Sequence, residues 1–196
     1  MAQCAARPLR ACGNPAIQSC SMSTMRLFYA LWPAAPLAGK LAEWARQAAP
    51  AMGGRVMRTE TLHLTLAFLG DIDAATAEEL IDATPALRVQ PGALTLDRYG
   101  VFARQRILWA GPAQTPEALQ ALYDGLWLWL SGYGLQPPTQ PFRPHVTLAR
   151  HIETKTPPEA VPEPLTWRYD RLVLAASESL TGGSRYRVVA QTAPRA

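Results

Sequence analysis

One short polar pattern occurs twice in the sequence, each time within an otherwise apolar segment. The first copy is LHLTL at residues 62–66, and the second is PHVTL at residues 144–148. Side chains at positions i and i+2 of a β-strand share one face, so each copy places a histidine and a threonine together. The apolar residues of each copy then point to the opposite face. Because each copy also follows a predicted helix and turn, the chain is expected to be a diverged duplication of two lobes.

Hydrophobic periodicity predicts a mixture of strands and helices around these two segments. Alternating or continuous apolar runs predict strands at 26–32, 62–69, 94–99, 106–110, 145–150, 171–176 and 185–191. Helical spacing predicts helices at 37–48 and 74–83, and a third helix that begins with Thr115 as a hydroxyl cap. Adjacent strands and strand–helix alternation both occur along this order, which favours an α+β fold. The proline-rich stretches 136–144 and 154–164 are predicted to be loops.

Composition fits one globular domain, or two small lobes that share a core. The chain has 196 residues, 48% of them hydrophobic and 17% charged, with a formal net charge of +4. This mild positive charge permits an anionic partner without requiring one. No apolar run is long enough to span a membrane.

The N-terminal stretch differs from the rest of the chain. All three cysteines, Cys4, Cys12 and Cys20, lie in it, and no cysteine follows that could pair with them. An odd number of cysteines outside any periodic pattern is not a disulfide framework, which favours a cytoplasmic setting. We expect residues 1–24 to be a disordered extension and residues 25–192 to form the domain.

Two simpler interpretations of the histidines compete with catalysis. A single histidine in a strand is more often a hydrogen-bonded structural residue, but a structural role would have to explain the same polar pair twice. A zinc site needs three or four ligands, and the chain offers no third motif. His151 lies about 20 Å along an extended strand from His145, too far to share a metal ion with it. The sequence therefore predicts neither a metal site nor a cofactor.

Two histidines and two hydroxyls that face one another suit an in-line displacement at phosphorus. Such a reaction has an attacking oxygen on one side and a leaving oxygen on the other, so it needs one base and one acid. Histidine can fill either role near neutral pH, and threonine hydroxyls can donate hydrogen bonds to the non-bridging oxygens. An activated ester such as a cyclic phosphate is the best substrate for a site of this kind. The pattern itself does not distinguish the acid from the base.

At these residues the chain resembles the 2H phosphoesterase superfamily, and more closely the RNA 2′,3′-cyclic phosphodiesterases, formerly called 2′-5′ RNA ligases. The likeness rests on HLTLAFLG and PFRPHVTLAR, with weaker support from RLFYAL, YGVF, RILWAG and SRYRVV. It implies a bilobal fold of two pseudo-symmetric lobes of antiparallel sheet, with outer helices and a central cleft. It also implies metal-independent hydrolysis of an RNA 2′,3′-cyclic phosphate end to a 2′-phosphate.

The resemblance also implies roles for particular residues. His63 would be the proton donor to the leaving 3′-oxygen, and His145 the proton acceptor that activates water. Thr65 and Thr147 would bind the phosphate. Arg150 matches an arginine that is common after the second motif, although strand alternation predicts that it points away from His145 and a surface ion pair is an equal alternative.

Aromatic residues near the second motif are candidates for contact with a nucleobase. Phe142 precedes this motif, and Phe102 lies in the loop before a predicted strand. Either ring could stack on a terminal base, whereas core packing is the simpler interpretation of both.

Three alternatives to RNA-end hydrolysis stay open from the sequence. The reverse reaction, 2′-5′ ligation, uses the same groups, and a phosphodiesterase for small cyclic nucleotides differs only in the reach and charge of its cleft. A non-catalytic RNA-end binding protein would not need an acid and a base. The expected partner is RNA with a 2′,3′-cyclic phosphate end, bound by a monomer that needs no membrane or protein partner.

Overall fold

The computed structural model describes residues 24–180 and 183–193. Cys4, Cys12 and Cys20, with almost all of the predicted N-terminal extension, lie outside the described residues. Thr24, the last residue of that predicted extension, instead begins the first strand. No helix in the described part of the chain is both long enough and apolar enough to cross a membrane.

The described part of the chain contains three α-helices and ten strands. The helices are α1 (Ala35–Met52), α2 (Ala74–Ala83) and α3 (Glu117–Ser131). The strands are β1 (Thr24–Leu31), β2 (Arg55–Val56), β3 (Leu64–Asp73), β4 (Gly92–Leu96), β5 (Arg98–Phe102), β6 (Ile107–Gly111), β7 (Val146–Arg150), β8 (Leu165–Tyr169), β9 (Val173–Leu180) and β10 (Gly183–Gln191). The predicted α+β class is confirmed.

One large antiparallel sheet carries both repeated motifs. Its strands follow the order β10-β9-β1-β3-β7-β6-β5, with β2 paired to β7, and β4 and β8 form a separate two-stranded sheet. The motif strands β3 and β7 are neighbours at the centre, where Leu64 pairs with Val146. The two predicted lobes are therefore the halves of this sheet, which meet at the motifs.

The two faces of the sheet differ in what covers them. Leu27, Tyr29 and Leu31 of β1 join the main core, which also contains buried residues of all three helices. Phe28 and Ala30 point to the other face, where they form a small apolar cluster. The motif threonines share this second face, so the helices support the sheet from behind the site.

Several predicted element bounds differ from those of the structure. The single strand predicted at 94–99 is divided at Asp97 into β4 and β5, which belong to different sheets. Strand β8 was not predicted. Helix α1 continues through Pro50 to Met52 and ends at Gly53, whose N–H donates to the carbonyl of Ala49.

The start of α3 also differs from its predicted start. Pro116, not Thr115, occupies the N-cap position, and no side chain caps the helix. The carbonyl of Pro116 accepts hydrogen bonds from the N–H groups of Leu119 and Gln120, so the backbone alone begins the helix.

Two glycines offer a matched test of packing. Gly100 in β5 pairs with Trp109 in β6, and a Cβ at position 100 would overlap the indole ring. Gly125 lies in α3 with open space around its Cα. We expect Gly100→Ala to lower the free energy of unfolding by about 2 kcal/mol through overpacking. Gly125→Ala should raise it by about 0.5–1 kcal/mol because alanine favours the helix. Urea unfolding of both variants measures this difference, and equal effects would contradict it.

Candidate active site

The two motif histidines lie at the junction of the sheet halves. His63 directly precedes β3 and His145 directly precedes β7, so each stands one residue before the strand in which it was predicted. Because Leu64 pairs with Val146 in antiparallel register, the histidine of each motif lies opposite the threonine of the other. The two histidines are then diagonal neighbours, close enough for the charge of His145 to act on His63. This arrangement has the pseudo-twofold character that the repeated motif predicts.

A β-bulge interrupts β7 immediately after its motif. Thr147 lies opposite Trp109 of β6, but the next residue of β6, Leu108, lies opposite Ala149, which leaves Leu148 as an extra residue. Both Leu148 and Ala149 are fully buried. The bulge reverses the alternation of side chains, so Arg150 shares the face of Thr147. The expectation that Arg150 points away from His145 was therefore wrong.

The same bulge occurs in β3 at the corresponding position. Thr65 lies opposite Ala30 of β1 and Ala67 opposite Tyr29, which leaves Leu66 as the extra residue. Phe68 consequently shares the face of Thr65 and occupies the position that Arg150 has in the other half. Phe68 is 52% exposed, and the sequence interpretation missed it. The signal was present in the sequence, because both motifs continue with Leu-Ala, two consecutive apolar residues that break strand alternation.

Each histidine ring is oriented by the backbone two residues before it. Nδ1 of His63 lies 2.7 Å from the carbonyl oxygen of Thr61, and Nδ1 of His145 lies 2.8 Å from that of Arg143. A carbonyl only accepts hydrogen bonds, so Nδ1 carries a hydrogen in both rings. In each histidine Nε2 is therefore the nitrogen that can gain or lose a proton.

Aromatic rings surround His63 on three sides. Trp32 stacks on the imidazole with centroids 5.2 Å apart, and the ring of Phe28 lies 4.9 Å away. Tyr186 approaches edge-on at 5.0 Å. These contacts bury the ring and limit its rotation.

His145 has fewer aromatic neighbours. Phe102 packs edge-on against it with centroids 4.9 Å apart, and Trp109 lies 6.2 Å away. Phe102 also contacts Trp109 at 5.5 Å, whereas Phe142 stacks on Tyr123 at 4.1 Å. Both predicted base-stacking residues are thus half-buried and packed on other rings.

Burial makes both histidines weaker bases. The pKa of His63 is lowered from 6.5 to about 4, chiefly by burial, with smaller contributions in the same direction from the charges of His145 and Arg150 and an opposing one from the hydrogen bond to Thr61. Burial also lowers the pKa of His145, with smaller contributions in the same direction from Arg143 and Arg150. The guanidinium of Arg150 therefore acts electrostatically on both rings.

Two cavities open on the face of the sheet that carries Thr65 and Thr147, the motif face. One of about 780 Å³ is lined by Thr65, His145, Phe102 and Phe142 among others. The other, of about 440 Å³, is lined by Thr61 and Tyr186, which contact His63, and by Arg150. Phe68 lines both cavities.

The described residues contain no group of three or more histidine, cysteine, aspartate or glutamate side chains that could hold a metal ion. His151, considered as a possible ligand from the sequence, is exposed and has a left-handed backbone with φ of 59°.

Comparison with known proteins identifies similar chains. Residues 31–109 match the family described as LigT like Phosphoesterase. An RNA 2′,3′-cyclic phosphodiesterase of Escherichia coli K12 is 35% identical over 165 residues, which cover 82% of this chain and 92% of that protein. A protein of the same name from Aeropyrum pernix is 30% identical over 99 residues, covering 49% of this chain and 56% of the other. The crystal structure of Escherichia coli LigT complexed with 3′-AMP superposes with a TM-score of 0.77 at 29% identity, covering 86% of this chain and 97% of that one.

The lowered pKa of His63 predicts acid sensitivity of the fold. The unfolded chain binds a proton at this residue below pH 6.5, whereas the folded chain does so only near pH 4. The contribution of the buried, neutral His63 to the free energy of unfolding is therefore fully present above pH 6.5. It is lost as the pH falls towards 4. At pH 4.5 the loss should be about 2 kcal/mol relative to pH 7.

Urea unfolding at pH 7 and pH 4.5 measures this loss. His63→Gln should reduce the difference between the two pH values by about 2 kcal/mol. His151→Asn is the matched control, because the side chain is exposed and asparagine tolerates its backbone conformation. A His63→Gln protein with the full wild-type pH dependence would contradict the assignment.

Proposed function

The chain belongs to the LigT-like phosphoesterase family, and on that premise we propose that it hydrolyses the 2′,3′-cyclic phosphate at an RNA end to a 2′-phosphate. One observation carries the proposal. The two histidines whose Nε2 atoms can exchange protons directly precede adjacent antiparallel strands, and each lies opposite the threonine of the other motif. This is the arrangement that an in-line displacement at phosphorus needs, with a base on one side and an acid on the other.

The reaction breaks one phosphorus–oxygen bond and forms another. Water attacks the phosphorus on the side opposite the 3′-oxygen, and Nε2 of His145 accepts its proton. The bond from phosphorus to the 3′-oxygen breaks, and His63 donates a proton from Nε2 to this oxygen. The phosphate stays on the 2′-oxygen, and the two histidines end with their protonation states exchanged.

This assignment requires the substrate to change the charge of His63. With a pKa of about 4, His63 is neutral at pH 7 in the unliganded site. The cyclic phosphate carries a negative charge, which favours the imidazolium and raises this pKa when the substrate binds. If the roles were exchanged, His63 would be the base, a role that its low pKa suits without the substrate.

The remaining polar groups of the site bind the phosphate. The hydroxyls of Thr65 and Thr147 donate hydrogen bonds to the two non-bridging oxygens, where negative charge accumulates. The guanidinium of Arg150 adds positive charge on the same face, as its effect on both histidines supports. No cofactor is needed for these steps.

The larger cavity is the proposed site of the terminal nucleobase. Phe102 and Phe142 line it, and Phe68 adds an exposed ring that neither of the other two provides. Any of the four nucleobases can stack on an exposed aromatic ring, so this contact does not select a particular base.

All of these groups belong to one bilobal catalytic domain, which we assign to residues 25–192. We further propose that this domain acts on RNA as a monomer in the cytoplasm. The mild positive charge of the chain and the lack of any cysteine after Cys20 support this setting.

The function is tested with a short RNA that ends in a 2′,3′-cyclic phosphate, incubated in EDTA. We expect a 2′-phosphate product, identified by mass and by its sensitivity to phosphatase. His63→Ala and His145→Ala should each lower turnover at least ~100-fold, as loss of a general acid or base does. The matched control His151→Asn should keep wild-type turnover. Absence of turnover with retained RNA binding would contradict the proposal in favour of an end-binding protein.

A sulfur substitution separates the acid from the base in the same assay. A substrate whose 3′-oxygen is replaced by sulfur releases a thiolate, which needs no proton because thiols have a pKa near 8.5. This substrate should restore turnover to the variant that lacks the acid, and only to that variant. Rescue of His63→Ala supports its role as proton donor, whereas rescue of His145→Ala would reverse the assignment.

Removal of a threonine hydroxyl should have a smaller effect. Thr65→Val and Thr147→Val keep the shape of the side chain, and each should lower turnover about 10-fold through loss of one hydrogen bond to the phosphate. Thr95→Val is the control, because Thr95 is exposed in β4 of the separate sheet. Wild-type rates for both motif variants would show that these hydroxyls do not contact the phosphate.

A further inference from the structure

The smaller cavity on the motif face has an unusual concentration of positive charge. Four arginines line it: Arg26 of β1, Arg55 of β2, Arg58 after β2 and Arg150 of β7. Ser177 and Ser184 add hydroxyl groups to the wall, and none of the described residues that line the cavity is acidic.

Two of these arginines occupy directly opposed positions. Arg55 pairs with Arg150 across the β2–β7 ladder, so their Cα atoms lie about 5 Å apart. The N–H of Met57 donates to the carbonyl of Leu148 at 2.8 Å, which extends the attachment of this segment to β7. Like charges at opposed positions of a sheet destabilise it. An anion bound between the two guanidinium groups would be attracted by both of them.

The other two arginines are held at the rim of the cavity. Arg58 donates to the carbonyl of Ser184 at 3.0 Å and lies 3.3 Å from Glu60. Arg26 lies 3.8 Å from Asp71, and its guanidinium lies 4.9 Å from the ring centre of Phe68. Both ion pairs are exposed, and such pairs contribute little stability, so they leave these arginines able to bind another anion. Asp71 and Glu60 are not among the residues that line the cavity, and no described residue of its wall is acidic.

The cavity adjoins the reacting groups. Thr61, whose carbonyl orients His63, and Tyr186, which packs on its ring, both line the wall. Arg150 links the two regions, because its charge also acts on both histidines. Phe68 separates this cavity from the larger aromatic one. A group bound among the arginines would therefore lie close to a phosphate held between the motifs.

We propose that this smaller, arginine-lined cavity is a second phosphate subsite. It binds the 5′-phosphate of the nucleotide whose 2′,3′-cyclic phosphate is hydrolysed. In an RNA chain this group is the phosphodiester to the preceding nucleotide, separated from the cyclic phosphate by one sugar. The inference rests on the proposed function and refines its substrate class. The enzyme would prefer an RNA end over a free nucleoside 2′,3′-cyclic phosphate, because only the RNA end fills both subsites.

Three substrates that differ at the 5′ position test the proposal. They are adenosine 2′,3′-cyclic phosphate with a 5′-hydroxyl, the same nucleotide with a 5′-phosphate, and a dinucleotide in which a phosphodiester occupies that position. Both phosphorylated substrates should have kcat/KM about tenfold or more above that of the 5′-hydroxyl substrate, since hydrogen bonds to charged groups are the strong ones. If kcat/KM rose for the 5′-phosphate nucleotide but not for the dinucleotide, the proposal that the subsite binds the phosphodiester of an RNA chain would be overturned.

Arginine variants locate the effect. In the double variant Arg55→Gln/Arg58→Gln, the ratio of kcat/KM between the phosphorylated and 5′-hydroxyl substrates should fall towards one. Arg168→Gln is the control, because Arg168 is exposed on β8 in the separate sheet, and its ratio should stay at the wild-type value. A wild-type ratio in the double variant would overturn the proposed location.

Calorimetry of the wild-type protein gives a readout that needs neither turnover nor a folded variant. Adenosine 3′,5′-bisphosphate should bind about tenfold or more tightly than 3′-AMP, and this difference should shrink as salt is added. Equal affinities would overturn the second subsite. In the turnover assay, hydrolysis of all three substrates at one rate would overturn the second subsite but leave the proposed function intact. Hydrolysis of none of the three would refute the proposed function itself.

Discussion

The antiparallel contact between β3 and β7 is the interaction on which the site depends. A pairing of Leu64 with Val146 joins the two halves of the sheet and places two His-x-Thr motifs side by side. The register matters as much as the contact, because a shift by one residue would turn the histidines and threonines into the core. Leu64 and Val146 are fully buried in the main core, so the same pair that aligns the motifs also anchors them to the helices.

Two equivalent bulges extend the site beyond the motifs. Leu66-Ala67 and Leu148-Ala149 place two consecutive side chains in the core, which brings the next residue of each strand to the motif face. These next residues are Phe68 and Arg150, an aromatic ring in one half and a guanidinium in the other. The duplication is thus symmetric in its backbone and asymmetric in its chemistry. The proposed substrate is also asymmetric, because its cyclic phosphate is flanked by a nucleobase and by the rest of the RNA. A cleft with an aromatic side and a basic side suits such a substrate.

The surroundings of the two histidines differ in the same way. Three aromatic rings enclose His63, whereas two approach His145, and burial lowers the pKa of both. Each Nδ1 donates to a carbonyl two residues earlier, which leaves the same nitrogen available in both rings. The fold therefore supplies two histidines that have matched orientations and different environments, as the acid and base roles proposed for them require.

Local patterns along the chain were enough to predict the α+β class, the duplication and the pair of His-x-Thr motifs, because these follow from local alternation and from the residue types of short segments. They also indicated phosphoryl chemistry, since few reactions need two histidines with two hydroxyls. The same patterns did not predict that β3 lies beside β7, that Arg150 shares the face of the motif threonines, or that four arginines line one cavity. Those facts depend on register and bulges between strands far apart in the chain. A single extra residue, Leu148, reversed the direction that simple alternation predicted for Arg150, and only the opposing strand reveals such a residue.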